Sequence, residues 1–282
     1  MLNHLKSMLR GATRRLAIAP LRLLGPRLRA QALELLSDRM ITEAPIPNAT
    51  LKFFAPTPLL QDRAAAVLTK EPDMIRWIDG LAKSAVFWDI GANVGVFSLY
   101  AAARASCTVL SFEPSASNFY VLARNVQLNG LNNLITAYCM ALSGTTGLGV
   151  LNLASPAMGM ALSQFGKAGE KSRYLTGEIQ SAVHGMVGFS IDDFIARFAP
   201  PFPTHIKMDV DGLELQILQG ATRTLSDRRL RSAMVELSLT DVDERGRAQA
   251  LLERAGLKFI SQGDTQGTGA ENAANHLFVR TE

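Results

Sequence analysis

The chain has 282 residues, of which 48% are hydrophobic and 19% charged, and its formal net charge is +4. This length and composition favour one folded domain with an N-terminal appendage and argue against a disordered chain. Residues 1–40 contain eight Lys or Arg but only two acidic residues, Glu34 and Asp38, so the remainder of the chain has a negative net charge. A body without basic excess argues against a nucleic-acid substrate.

Residues 1–40 mix leucines with arginines and are interrupted at Pro20 and Pro26. No apolar run here is long enough to span a bilayer, and the arginines interrupt any signal-peptide core, so we expect a cytoplasmic protein. Two interpretations stay open. The segment is either a basic amphipathic helix in peripheral contact with an anionic membrane, or a helical extension that packs on the body or on another subunit of a homo-oligomer.

Residues 41–58 are punctuated by prolines and are typical of a connector with a short strand at Leu51–Phe54. We therefore divide the chain into an N-terminal extension and connector, 1–58, and a main domain, 59–282. The sequence Thr69-Lys70-Glu71-Pro72-Asp73 then indicates the start of a helix, because Thr69 or Asp73 can cap it and Pro72 suits an early helical position.

The segment from Val86 to Tyr100 predicts a buried strand, a tight turn and a helix. Its glycines have the spacing Gly91-x-x-x-Gly95, which is not the G-x-G-x-x-G pattern that holds a pyrophosphate. S-adenosylmethionine has no phosphate and carries a positive sulfonium, which an acid at the strand end suits. We therefore predict that Asp89, Gly91, Asn93 and Gly95 bind this cofactor. The alternative is a tight turn without a ligand.

The strand Thr108–Phe112 is followed by Glu113, about 20 residues beyond the glycine turn, where an acid can accept hydrogen bonds from a ribose diol. The alternative is that Glu113 caps the following helix, a position that Ser115 can fill. Asn118 lies on the first turn of that helix and is a weaker candidate for adenosine. Leu142 and Ser143 follow the third strand, where an adenine ring would lie, or they simply end that strand.

Residues 147–184 contain few regular patterns beyond a strand at Val150–Leu153, and a long irregular insertion favours a substrate lid. His184 is a candidate general base, although a lone histidine is more often structural. The strand Thr204–Val210 carries Lys207 and Asp209 on one face. A buried charged pair is costly unless matched, so they form either a catalytic pair or an internal salt bridge.

Two later strands complete the predicted sheet. Arg231–Leu237 ends near Glu236, another acid at the edge where open α/β sheets bind ligands, so we assign Glu236 to the substrate wall. Asn275–Arg280 closes the sheet. No metal-ligand spacing is present, and the two cysteines, Cys107 and Cys139, indicate buried free thiols in a reducing compartment.

Three stretches together resemble the FkbM family of S-adenosylmethionine-dependent methyltransferases: Asp89-Ile90-Gly91-Ala92-Asn93-Val94-Gly95, Phe112-Glu113-Pro114 and the run from Ile206 to Ala221. The resemblance extends from about Thr69 to the C-terminus and departs at Asp211, where many members carry Glu. It implies a Rossmann-like class I methyltransferase fold, with a doubly wound, mostly parallel sheet and an antiparallel last strand. It also implies that Glu71 lies on the active-site wall.

The resemblance implies methyl transfer from S-adenosylmethionine to a hydroxyl oxygen of a glycan, glycolipid or natural product. Asp209 is then our first candidate for the general base and His184 the second, and Lys207 orients the acceptor oxygen. Two alternatives stay open. An NAD-dependent oxidoreductase uses the same strand–turn–helix unit, and a non-catalytic scaffold keeps the cofactor pocket without transferring a methyl group.

Overall fold

The computed structural model describes residues 23–166, 182–264 and 272–281. The chain divides into two compact units, Met1–Ile41 and Thr42–Glu282, whereas the sequence predicts an extension that ends at residue 58. In the first unit, helix α1 spans Pro26–Asp38 and buries none of its residues. The predictions made for residues 1–22 and 167–181 lie outside the described residues. No helix within the described ranges is both long enough and apolar enough to cross a membrane.

The remaining elements follow in chain order. The strands are β1 (Ile41–Ile46), β2 (Ala49–Phe54), β3 (Val86–Ile90), β4 (Thr108–Phe112), β5 (Ile135–Tyr138), β6 (Ala141–Leu142), β7 (Gly147–Leu153), β8 (Ser163–Gly166), β9 (Ala182–Phe189), β10 (His205–Met208), β11 (Ser232–Ser238), β12 (Leu257–Gln262) and β13 (Ala273–Arg280). The helices are α2 (Pro58–Ala65), α3 (Pro72–Asp79), α4 (Val96–Ala105), α5 (Ala116–Leu128), α6 (Ile191–Phe198), α7 (Glu214–Gln219), α8 (Thr222–Ser226) and α9 (Val242–Arg254).

A seven-stranded sheet forms the centre of the second unit, in the order β12-β13-β11-β10-β3-β4-β5. The five strands from β11 to β5 are mutually parallel, and β13 is antiparallel to both of its neighbours. The predicted Rossmann-like α/β fold, with an antiparallel last strand, is therefore confirmed. The order reverses between β3 and β10, so the crevice for a ligand is expected at the carboxyl ends of these two strands.

The central strands are buried on both faces, which explains their nearly continuous apolar sequences. On β3, Phe87 packs in one core beneath α4 and α5, whereas Trp88 and Ile90 pack in a second core that includes Ile206 and Ile217. Successive side chains of a strand point to opposite faces, so Asp89 shares the Phe87 side. This placement decides what Asp89 can contact.

Residues 41–58 are more regular than predicted. Instead of a connector with one short strand, β1 and β2 form a two-stranded sheet, with Asn48 at a positive φ of 65° in the turn. The side chain of Asn125 accepts a hydrogen bond from the Phe54 amide at 2.7 Å, and Asn129 bonds Lys52 in the same way at 2.8 Å. These two bonds fasten β2 to α5.

The region predicted as an irregular lid also contains regular structure. Strands β6, β9, β7 and β8 form a second sheet in that order, with β7 antiparallel to both of its neighbours. A Cβ at Gly149 or Gly188 would overlap the ring of Phe165, so these two positions require glycine. The glycines that make the sequence look irregular thus leave space for one aromatic ring within a sheet.

Candidate active site

The carboxyl ends of the parallel strands open into a cavity of about 460 Å³, which we call the main cavity. Its walls combine residues from the glycine turn, the ends of β4, β10 and β11, and the loop before β8. Two smaller recesses adjoin it. The side recess, of about 50 Å³, shares Gly91, Asn93 and Asp209 with the main cavity, and the apolar recess, of about 20 Å³, shares Gly91 and Pro114.

The backbone amides of the glycine turn are hydrogen-bonded within the protein. The amides of Gly91 and Ala92 both donate to the Phe112 carbonyl at 3.0 Å, and the Asn93 amide donates to Glu113 Oε2 at 2.8 Å. The backbone amides of Gly91, Ala92 and Asn93 are therefore all engaged by protein oxygens. Asn93, one of the residues predicted to bind the cofactor, adopts a positive φ of 50° and lines the main cavity.

The two glycines serve different purposes. A Cβ at Gly91, which has a φ of 78°, would overlap the backbone carbonyl of Asp209, so this glycine allows β3 and β10 to approach each other. Gly95 begins α4 with a φ of 85° and packs against the Leu122 side chain of α5. Gly95 does not line the main cavity or either recess, so the structure does not bring it to the predicted cofactor site.

A buried ion pair joins the two strands at the switch point. Lys207 of β10 is the register partner of Asp89 on β3, and Lys207 Nζ lies 3.2 Å from Asp89 Oδ1 and 3.5 Å from Asp209 Oδ2. Lys207 Nζ also donates to the Gly91 carbonyl at 3.0 Å. Burial alone would lower the pKa of Lys207, but the charges of Asp89 and Asp209 outweigh it and raise that pKa above its ordinary value.

Asp89 does not reach the main cavity. Its side chain is fully buried, and its Oδ2 accepts a hydrogen bond from Ser98 Oγ at 2.6 Å on the α4 side of the sheet. The prediction of direct cofactor contact is corrected accordingly, because the alternation of β3 directs the carboxylate into the protein. Asp89 instead holds Lys207, and Lys207 in turn holds Asp209, whose side chain remains 30% exposed at the cavity.

Glu113, for which the sequence predicts hydrogen bonds to a ribose, lies in the wall of the main cavity. It is 4% exposed and accepts hydrogen bonds from the amides of Asn93 and Ser115, both at 2.8 Å. Burial raises the pKa of Glu113 to about 7, against the opposing effect of these two amides. The glutamate thus spans the glycine turn and the start of α5, and each of its oxygens retains capacity to accept a ligand hydroxyl.

Asn118 lines the main cavity, but both ends of its amide are engaged. Its Nδ2 donates to the Met160 carbonyl at 2.9 Å and its Oδ1 accepts from the Gly159 amide at 2.8 Å. Asn93 Nδ2 also donates to the Met160 carbonyl, at 3.1 Å, and Arg63 Nε donates to the Gly159 carbonyl, at 2.8 Å. Three side chains therefore fasten the backbone of the loop that precedes β8.

The apolar recess lies at the β4 and β5 end of the site. Leu142 lines it together with Phe112, Pro114 and Met140, a composition that suits a flat apolar ring. Ser143 does not line the recess, and its amide donates to the Phe189 carbonyl at 2.8 Å. The structure thus brings Leu142 to this part of the site but not Ser143.

Acidic side chains crowd the opposite end of the main cavity. Asp209 and Glu236 are hydrogen-bonded to each other, and the negative charge of Asp209, together with burial, raises the pKa of Glu236 well above its ordinary value. Burial opposes ionisation of Asp209, but Lys207 outweighs it and holds the pKa of Asp209 low. The two carboxyl groups therefore titrate as a pair, in which the environment favours the proton on Glu236 and the charge on Asp209.

Four charged residues of the main cavity are not among the site residues predicted from the sequence. Asp211 has a φ of 57° and accepts from the Leu162 amide at 2.6 Å, and Glu214 Oε1 accepts from the Val210 amide at 3.0 Å. Arg63 and Lys70 come from the region before the glycine turn. Asp211 and Glu214 could have been found from their proximity to Asp209 in the sequence, but Arg63 carries no local signal.

Two predicted residues stand apart from the main cavity. His184 is on β9, opposite Leu151 in the second sheet, and lines none of the three spaces described above, so its candidacy as general base is corrected. The reason is that β9 pairs with β7 rather than covering the sheet edge. Glu71 lines the side recess, where it lies 3.3 Å from Lys70 Nζ and accepts from Asn275 Nδ2 at 2.9 Å.

In the part of the chain that the structure describes, no group of three or more His, Cys, Asp or Glu has an arrangement that could hold a metal ion. The carboxylates of the main cavity are instead engaged by amides, by Lys207 or by one another. The chemistry of the cavity is therefore that of buried carboxyl groups beside a lysine and an arginine.

Comparison with protein-family models matches residues 89–260 to the methyltransferase FkbM domain. No curated protein sequence matches the chain. Among solved structures, the chain is similar to precorrin-6y C5,15-methyltransferase from Geobacter metallireducens GS-15, with 11% identity, 75% of this chain and 87% of that chain covered and a TM-score of 0.43. It is also similar to P. horikoshii TYW2 in complex with MeSAdo, with 12% identity, 85% of this chain and 70% of that chain covered, and a TM-score of 0.41.

Proposed function

Because the chain belongs to the FkbM family of methyltransferases, which use S-adenosylmethionine, we propose that it methylates a hydroxyl oxygen of a glycan, a glycolipid or a natural product. The observation that supports an oxygen acceptor is the charged carboxylate of Asp209 at the cavity wall, held by Lys207 and hydrogen-bonded to Glu236. A hydroxyl group must lose its proton when it is methylated, and a fixed carboxylate is a suitable acceptor for that proton.

The residues present fit the cofactor. The apolar recess beside Phe112 and Leu142 suits an adenine ring, and Glu113 is placed to accept hydrogen bonds from ribose hydroxyls. When bound, the cofactor supplies an electrophilic methyl group on a positively charged sulfur. The acidic walls of the cavity favour that positive charge. The amides of Gly91, Ala92 and Asn93 already donate to protein oxygens, which is compatible with a cofactor that has no phosphate to bind.

The chain's own contribution is to position the acceptor and to take its proton. Lys207 keeps Asp209 ionised and fixes its carboxylate at the end of β10, while Glu236 donates a hydrogen bond to that carboxylate from β11. Correct placement of two reactants accounts for most of the acceleration expected of a direct displacement. A positioned base contributes a further ~10²–10⁴-fold.

The proposal is tested with S-adenosylmethionine that carries a ¹³C-labelled methyl group, incubated with the protein and fractionated cell-envelope glycans and metabolites. Mass spectrometry identifies the labelled product, and the ¹³C chemical shift of the methyl group distinguishes attachment to oxygen, nitrogen or carbon. Attachment to nitrogen or carbon would overturn the oxygen assignment. Cofactor binding without any labelled product would favour the non-catalytic scaffold instead.

The oxidoreductase alternative is not retained. The family is one of methyltransferases, and the amides of Gly91, Ala92 and Asn93 are occupied by Phe112 and Glu113 rather than available to a pyrophosphate. A membrane contact of residues 1–40, homo-oligomerisation and the absence of a nucleic-acid partner stay predictions from the sequence.

Replacing Glu113 by Gln is expected to weaken S-adenosylmethionine binding by about 10- to 100-fold, because a carboxylate accepts stronger hydrogen bonds from ribose hydroxyls than an amide does. Isothermal titration calorimetry measures the dissociation constant. The matched control is Glu244→Gln on α9, which lies outside the main cavity and both recesses. An unchanged dissociation constant for Glu113→Gln would remove the ribose role.

The pH dependence of turnover tests whether Asp209 and Glu236 titrate as a pair. The pKa of Glu236 is raised to about 9, largely by the charge of Asp209. As pH rises toward this value Glu236 loses its proton, and the pair of Asp209 and Glu236 becomes a stronger base. We expect log kcat to rise with pH up to that range in the natural protein. Glu236→Gln should remove the alkaline rise, because a glutamine cannot release the proton; a profile that keeps this rise would assign it to another group.

A further inference from the structure

Arg63 on α2 lines both the main cavity and the side recess. Its Nε donates to the Gly159 carbonyl at 2.8 Å, which leaves the four hydrogens on its two Nη atoms for other acceptors. The side chain is half-buried. Within the described ranges no salt bridge includes Arg63, whereas Lys70 pairs with Glu71 at 3.3 Å and Lys207 pairs with Asp89 at 3.2 Å.

A guanidinium removed from water without a carboxylate partner is unfavourable. Burial lowers the pKa of Arg63, and the more distant charges of Asp209, Asp211 and Glu113 only oppose this effect. A ligand carboxylate at the side recess would supply the missing partner, and it would match the planar, forked geometry of the guanidinium. The charge state of the recess therefore indicates an anionic group of a ligand.

The distribution of charge around the two spaces indicates which anionic group of a ligand would lie beside Arg63. The main cavity is lined by five carboxyl groups, which disfavour an anion: those of Glu113, Asp209, Asp211, Glu214 and Glu236. The side recess has two carboxylates, Glu71 and Asp209, and each of them is paired with a lysine. Lys70 is neutralised by Glu71 and is 44% exposed, and Lys207 is held between Asp89 and Asp209. Of the described cations lining either space, Arg63 alone has no acidic partner. S-adenosylmethionine has one anionic group, the α-carboxylate of its methionine part.

We propose that Arg63 binds the α-carboxylate of S-adenosylmethionine in the side recess. This assignment rests on the family's cofactor and not on the oxygen acceptor. It places the methionine part beside the turn from Gly91 to Val94, whose residues line the side recess. Arg63 thereby selects the intact amino-acid end of the cofactor.

The experiment measures binding to the full chain by isothermal titration calorimetry, without any acceptor. The probes are S-adenosylmethionine, decarboxylated S-adenosylmethionine, which keeps the sulfonium and the amine, and 5′-methylthioadenosine, which lacks the whole amino-acid part. Arg63→Met should weaken binding of S-adenosylmethionine by about 10- to 100-fold, the effect of losing a charge-assisted pair, while the other two probes change less than about 3-fold.

Two further variants complete the test. Arg63→Lys keeps the charge but not the forked geometry, so it should retain only part of the preference for the carboxylated probe. Lys70→Met should alter that preference by less than about 3-fold. An equal loss for all three probes in Arg63→Met would mean that Arg63 acts only through the Gly159 loop, and would overturn the proposal. Unchanged binding of every probe, or a selective loss in Lys70→Met instead, would overturn it as well. A failed search for an oxygen acceptor would leave these results unaffected.

Discussion

Replacing Asp209 by Asn is expected to lower kcat for methyl transfer by about 10²–10⁴-fold, the usual contribution of a general base. The asparagine has nearly the same shape but cannot take a proton from the acceptor hydroxyl. Lys207 keeps its stronger partner, Asp89, at 3.2 Å, so the fold and the cofactor site are expected to persist. Turnover is measured with the acceptor found by ¹³C labelling, and cofactor binding by calorimetry.

The control for Asp209→Asn is Asp243→Asn, which removes an exposed carboxylate from the first turn of α9. Its turnover should equal that of the natural protein. If Asp209→Asn keeps full turnover, Asp209 is not the base. If it loses cofactor binding by the same factor as turnover, its contribution is to the binding of S-adenosylmethionine rather than to proton transfer.

Replacing Lys207 by Met is expected to lower the free energy of unfolding by about 3–5 kcal/mol, because Asp89 is left charged in the core. Lys207 is 2% exposed and Asp89 fully buried, so water cannot replace the lost partner. Ser98 supplies one hydrogen bond to Asp89 but no charge. Equilibrium denaturation in urea measures the difference, and the unchanged slope confirms that the same surface unfolds.

The double variant Asp89→Asn/Lys207→Met should regain part of this loss, since it removes the uncompensated charge. Arg104→Met is the control on the protein surface. Arg104 lies 3.2 Å from Asp79 with both side chains partly exposed, and its loss should cost no more than about 1 kcal/mol. A Lys207→Met variant as stable as Arg104→Met would show that the buried pair contributes little to stability.

The elements that carry the site could be predicted because their signals are local. The apolar run ending at Ile90, the glycine turn and the acid at position 113 lie close together in the sequence and form consecutive parts of one strand–turn–helix unit. The strand that carries Lys207, with Asp209 at its carboxyl end, is likewise predicted from its own sequence. Each of these predictions depends on the alternation of apolar and polar residues along a strand or on the residue types that form a turn. Both can be recognised within a short stretch of sequence.

Other features depend on pairing between distant residues and could not be read in this way. Asp89 is next to a predicted ligand turn, but the residue that neutralises its charge in the core, Lys207, is more than a hundred positions away in the sequence. The position of His184 depends on β9 pairing with β7, and Gly149 and Gly188 give no indication that they surround Phe165. Arg63 reaches the cavity only through the packing of α2.

The loop that precedes β8 is attached by its main chain. Arg63, Asn93 and Asn118 all bond to backbone atoms of Gly159 and Met160, and none of these bonds uses a side chain of the loop itself. Two positions of the loop are constrained by their backbone, namely Gly159 with a φ of 82° and Leu162 with a φ of 62°, but no side chain of the loop takes part in these bonds. Met160 and Ala161 line the main cavity but neither recess, so they offer a place to reshape the cavity wall while the two recesses are left intact.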